Sequence, residues 1–144
     1  MERVLVTGGA GFIGSHLVDR LILDHEVVVL DDLSGGNNFI KPHIGGKNFT
    51  FIQGSIASDD DIKKALDDVT TVYHLAAQPD VRLSVTDPMS DFNVNIIGGM
   101  NFLESLRKYD IERIVFSSSG GTVYGDSEVF PTPESTPLAP ISNY

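Results

Sequence analysis

The stretch RVLVTGGAGFIGSHL, residues 3–17, constrains the fold of this chain more than any other. A short β-branched run stops at Thr7, glycines follow at Gly8, Gly11 and Gly14, and an apolar helical pattern begins at once. Gly8 permits a tight turn out of a strand, Gly11 lets the backbone approach a pyrophosphate, and Gly14 lets a helix pack closely on the sheet. The N–H groups at the helix start, around Phe12 and Ile13, then face the phosphates. A glycine triad also arises for purely structural reasons. Here the strand before it, the helix after it and a second strand ending at Asp31 supply the context of a dinucleotide site.

Asp31 lies 17 residues beyond Gly14, at the tip of that second strand, and Asp32 follows it. A carboxylate at this tip accepts hydrogen bonds from the ribose hydroxyls of an adenosine and repels a 2′-phosphate. No arginine occurs between Arg20 and Arg82 to offset that repulsion. The expected cofactor is NAD, not NADP.

Five short apolar runs, 3–7, 26–30, 49–52, 71–75 and 113–117, read as strands buried on both faces, the pattern of a parallel sheet. Helical stretches over 13–23, 58–66 and about 88–109 separate them. Ser58 is placed to cap the second, with Asp59, Asp60 and Asp61 favouring its N-terminus. In the third, Phe92, Ile96, Met100, Leu103 and Leu106 recur at helical spacing and form one apolar face. The alternation predicts an α/β protein, a Rossmann-like doubly wound parallel sheet in a three-layer αβα arrangement spanning residues 1–144. After Ser119 the chain has four prolines and no helical periodicity.

At 144 residues the chain is long enough for one domain with its own core. A formal net charge of −10 argues against a nucleic-acid partner, whose phosphates require Lys and Arg. The absence of cysteine excludes a disulfide scaffold, a thiolate metal site and a cysteine nucleophile. No segment reads as a signal peptide or a membrane span, so a cytoplasmic location and no membrane partner are expected.

TGGAGFIGSHL, DDLSGG at 31–36, HLAAQ at 74–78, SSSGGTVYGD at 117–126 and the closing PISNY together resemble the extended short-chain dehydrogenase/reductases. Within them the chain is similar to NAD-dependent nucleotide-sugar epimerases, the UDP-glucose 4-epimerase group. The resemblance covers the whole chain. It implies that Leu75, Ala76 and Ala77 lie along the nicotinamide-side ribose and phosphates. It also implies that Asn95, Ser117, Ser34, Gly36 and the Ser55–Ile56 pair lie against the cofactor. Arg82 and Ser84, in a VRLS segment matching a loop, are implied on the side of a UDP-sugar substrate. Homodimerisation through the long helix is implied too, and packing of that helix on the sheet is the other reading of its apolar face.

By the same resemblance the reaction is transient oxidation at the sugar C4. A tyrosine takes the hydroxyl proton, its pKa lowered by a lysine, and a Ser or Thr hydroxyl holds the oxygen. Tyr144 matches the tyrosine, with no Y-x-x-x-K lysine after it, so the chain is expected to be truncated before the C-terminal sugar-binding region and to bind NAD without using it. Two departures stand out. Ser55 replaces the usual Asp at the adenine, which predicts somewhat weaker NAD binding. Gly120 occupies the position expected for the catalytic hydroxyl, leaving Ser119 or Thr122 to supply it. A dehydratase or decarboxylase of the same superfamily, and a non-catalytic NAD-binding module, stay open. The lack of an Asp-Glu pair beside the serine argues against 4,6-dehydration.

Overall fold

The computed structural model describes residues 1–35 and 39–144. Its strands β1 (Arg3–Thr7), β2 (Glu26–Asp31), β3 (Phe49–Gln53), β4 (Thr71–His74) and β5 (Arg113–Phe116) form one sheet in the order β3-β2-β1-β4-β5. Every neighbouring pair is parallel. The chain winds outward from β1 to β3, then returns past β1 to β4 and β5. This is the expected doubly wound topology, and its switch point lies between β1 and β4. Thr7 stands level with Leu30 on one side and His74 on the other, so the three strand tips share one rim.

Crossovers are made by α1 (Phe12–Leu21), α2 (Asp59–Ala65) and a helical run of three parts. That run is α4 (Pro88–Asp91), a π-helical segment Phe92–Gly98, and α5 (Gly99–Leu106). A short helix α3 (Val81–Thr86) precedes it and α6 (Gly120–Val123) follows β5. Side chains alternate across a strand, so each strand feeds two cores. Leu5, Val28, Leu30 and Val72 pack with Ile62, Leu66, Phe102 and Leu106 under α2 and α5. Val4, Val6, Val27 and Val29 pack with Val18 and Leu21 under α1. Burying a side chain the size of Leu5 or Phe102 is worth roughly 1.5–3 kcal/mol, so these two layers hold the sheet rigid beneath its rim.

Local signals match the structure closely. The Ser58 hydroxyl accepts from the Asp61 N–H at 3.3 Å and caps α2 as expected. Two expectations need correction, and one open alternative is resolved. Residues 81–84 form the start of α3, not a loop, because the Asp80 carboxylate accepts from the Arg82 and Leu83 N–H groups and caps a helix there. Strand β5 is exposed along its length instead of buried, since it is the last strand of the sheet and no helix among the described residues covers it. The apolar face at 92–103 turns away from the sheet. Asp91, Gly98, Gly99, Phe102 and Leu106 make the buried face, while Phe92, Ile96, Met100 and Leu103 are exposed. Gly98 borders the core here: a Cβ on it would sit 3.4 Å from the Ile56 side chain.

Candidate cofactor site at the rim of the sheet

The turn after β1 is built from contacts that leave no room for side chains. Gly8 has φ +69°, and a Cβ there would lie 2.8 Å from the Ala76 nitrogen. A Cβ on Gly14 would collide with the Gly8 carbonyl oxygen, so Gly14 lets α1 close on the turn itself. Gly11 is the N-cap residue of α1 and gives no side-chain cap, and the first turn carries no acidic residue. Contrast α2, with its Ser58 cap and three aspartates. The orphan N–H groups of the ten-residue α1 are thus left for an external anion. Phe12 and Ile13 beside them are 69% and 67% exposed.

Asp31 ends β2 directly beside this turn. One carboxylate oxygen accepts from the Ala10 N–H at 2.9 Å, the other from the Leu33 N–H at 2.8 Å. Each oxygen keeps a lone pair for a further donor. Asp32 accepts from the Ser34 N–H at 2.8 Å and shapes the exposed loop that follows. Gly36 lies outside the described residues.

At the tip of β3 the Ser55 N–H donates to Asp61 at 3.2 Å, and the Ser55 hydroxyl accepts from the Ala57 N–H. The Ser55 amide, then the Ser58 hydroxyl and Lys64, hold the Asp61 carboxyl below its ordinary pKa. Ile56 is buried in the core under α5. At the tip of β4, Leu75 and Ala76 are half-buried and Ala77 is exposed. Asn95, in the π-helical segment, clasps the next loop: its oxygen accepts from the Gln78 N–H at 2.8 Å, and its amide donates to the Gln78 carbonyl and to Asp91. One lone pair on the Asn95 oxygen stays uncommitted.

Beyond β5, the Ser117 N–H continues the ladder to the His74 carbonyl. The Thr122 hydroxyl donates to the Ser119 carbonyl at 3.3 Å, whereas the Ser119 hydroxyl has no hydrogen bond among the described residues. The chain end folds back onto α3, with Asn143 donating to the Ser84 carbonyl at 2.9 Å. Ser84 is fully buried and its own hydroxyl donates to the Val81 carbonyl, while Arg82 is exposed. Tyr144 is half-buried beside Asn143.

The glycine turn, the uncapped helix and the Asp31 carboxylate make one continuous rim suited to a dinucleotide. Residues 4–144 match the NAD dependent epimerase/dehydratase family. The chain belongs to that family. Its relatives include the UDP-glucose 4-epimerase of Mycolicibacterium smegmatis, 43% identical over 99% of this chain and 46% of that protein. The Thermotoga maritima UDP-glucose 4-epimerase, solved with UDP-glucose, superposes with a TM-score of 0.86 at 43% identity, over 99% of this chain and 46% of the other. The Thermus thermophilus UDP-glucose 4-epimerase, solved with NAD, gives the same TM-score, identity and coverage. The chain thus spans about half the length of these relatives, as their N-terminal portion. The family is enzymatic and NAD-dependent. No helix among the described residues is long and apolar enough to cross a membrane, and no cluster of three metal-ligating side chains occurs among them.

The sequence pattern assigns no site role to three residues of this rim. Asp61 reads as a helix-end charge and turns back to the β3 tip. Thr7 and His74 open the TGGAGFIGSHL and HLAAQ motifs, which give neither of them a role, yet the Thr7 hydroxyl meets the His74 Nδ1 at 2.8 Å. Both are buried, at 0% and 4% exposure. The signal for His74 is its place: a titratable side chain in a strand that reads as buried on both faces.

Proposed function

We propose that this chain is the NAD-binding portion of a nucleotide-sugar 4-epimerase that interconverts UDP-glucose and UDP-galactose. The observation that carries the reading is the Asp31 carboxylate, bonded to the glycine turn through Ala10 at 2.9 Å, beside an α1 N-terminus with no internal cap. That arrangement receives a diphosphate on backbone N–H groups and a ribose on the carboxylate. The residues present therefore fit NAD, which supplies a hydride acceptor and donor for the sugar C4 when bound. Phe12, Ile13 and Gly14 hold the diphosphate; Asp31, Asp32 and Ser34 face the adenosine ribose; Ser55 faces the adenine, while Ile56 is buried in the core. Leu75, Ala76, Ala77, Asn95 and Ser117 border the nicotinamide end.

Between the two hydroxyls that could hold the sugar oxygen, Ser119 is favoured, because the Thr122 proton is already directed at a carbonyl. Tyr144 is the phenol that takes the sugar proton, and Arg82 faces the UDP-sugar. The exposed face containing Phe92, Ile96, Met100 and Leu103 supports a second copy of the chain as a partner.

Thermal unfolding with each dinucleotide tests the cofactor side. NAD raises the midpoint and NADP raises it much less; equal shifts would remove the Asp31 argument. On the sugar side, the last lysine of these 144 residues is Lys108, far in sequence from Tyr144. A polypeptide of these residues is expected to hold NAD and leave UDP-galactose unchanged. Conversion by it would show that another group lowers the phenol pKa.

A further inference from the structure

The Thr7 hydroxyl sits where β1 ends and the glycine turn begins, and it faces the tip of β4. Its oxygen lies 3.2 Å from the Leu75 nitrogen, 3.2 Å from the Ala76 nitrogen and 2.8 Å from the His74 Nδ1. The Leu75 N–H is shared with the Thr7 carbonyl, also at 3.2 Å. A hydroxyl has two lone pairs and one proton. Two N–H groups occupy the lone pairs, so the proton must point at Nδ1, which accepts it. A protonated Nδ1 would press a third donor on a filled oxygen and strand the hydroxyl proton.

The imidazole is therefore fixed as the tautomer with its hydrogen on Nε2. Its surroundings keep the ring neutral. It stacks on Phe102 with centroids 4.8 Å apart and 19° between planes, and Phe116 lies 5.5 Å away on a tilt. Burial in this pocket disfavours the cation and pushes the His74 pKa down to about 4.

We propose that Thr7 and His74 are a positioning pair for the cofactor rim: His74, by accepting the Thr7 proton, aims the Thr7 oxygen at the Leu75 and Ala76 N–H groups and fixes the β4 tip against the Gly8 turn. The spacing there is tight, since the Ala76 backbone already closes to 2.8 Å of where a Gly8 Cβ would stand. Both turns belong to the rim read above as the NAD site, and the effect on NAD rests on that reading. The tautomer and the clamp do not.

The test separates the acceptor from the ring. His74→Phe keeps the stack on Phe102 and removes the acceptor. His74→Asn loses the stack but puts an oxygen, two bonds from Cβ, where Nδ1 was. Calorimetric NAD titration should show about tenfold weaker binding for His74→Phe and Thr7→Val, the loss expected for one buried hydrogen bond. Thr7→Ser and His74→Asn should recover most of it, while the melting temperature falls further for His74→Asn than for His74→Phe. Nitrogen-15 spectra of the wild-type imidazole at about pH 7, well above the folded-state pKa, should show hydrogen on Nε2. Amide exchange at Leu75 and Ala76 should quicken in Thr7→Val. Hydrogen on Nδ1, unchanged exchange, or equal NAD affinity in His74→Asn and His74→Phe would overturn the proposal. If wild-type protein binds no NAD, the functional reading fails, and the tautomer and exchange measurements still decide the clamp.

Discussion

Asp31 and Ala10 are joined by a 2.9 Å hydrogen bond that ties the tip of β2 to the glycine turn after β1. The same carboxylate accepts from Leu33 through its other oxygen. One side chain thus shapes two loops and presents its remaining lone pairs to the rim between them.

Replacing Asp31 by Asn puts an NH2 group opposite one of these backbone donors. Two donors then face each other, at a cost of about 1–2 kcal/mol for the lost and unsatisfied bond. NAD affinity should fall by about tenfold or more with the loss of the charged acceptor. Denaturant unfolding and NAD titration of Asp31→Asn measure the two effects; unchanged affinity would place the ribose elsewhere.

Two glycines give opposite expectations. Gly14→Ala drives a methyl into the Gly8 carbonyl, so the turn must open, and both NAD binding and the melting temperature should drop. Gly99→Ala meets nothing within 4 Å. In a helix it should be neutral or stabilise by about 0.5–1 kcal/mol. Thermal melts of the pair, with and without NAD, check the contrast.

Acid should destabilise the fold in two steps. Burial lowers the His74 pKa from 6.5 to about 4. Below pH 6.5 the unfolded chain takes a proton that folded His74 refuses, so stability falls between pH 6.5 and about 4 and is unaffected by this group above that window. The full shift is worth about 3 kcal/mol. Glu2, lowered chiefly by the Thr71 hydroxyl, and Asp61, lowered chiefly by the Ser55 amide, act in the same direction at lower pH. Their contributions hold above the ordinary carboxylate pKa and fade as pH drops through the depressed values. Urea titrations at about pH 7.5, 5.5 and 4.5 should show a decline that is shallower in His74→Phe.

The exposed helix face offers a separate test. Met100 is 61% exposed and Ile96 is 50% exposed, so a charge at either costs the single chain little. Met100→Glu or Ile96→Glu should leave the melting temperature of the monomer near wild type and abolish self-association. Sedimentation at several concentrations measures this, and a wild-type protein that stays monomeric would remove the dimer reading.

What the sequence determined by itself was carried by near neighbours, although the local Asp80 cap that starts α3 was missed. The glycine turn, Asp31 at its strand tip and the Ser58 cap depend on residues a few positions apart, and backbone sterics and capping act over that range. The parallel sheet followed from the length and composition of its strands. The helix over 92–103 was found by its period, but its facing was not, because a spacing of three and four marks an apolar stripe and not what covers it. Gly98, against Ile56, and the fully buried Phe102 lie on the inward face instead. Strand β5 read as buried because its composition matches the central strands, and only its place at the sheet edge leaves it open. The Thr7–His74 bond spans 67 residues. It exists because β1 and β4 became neighbours in register, and only the tertiary structure decides which strands do.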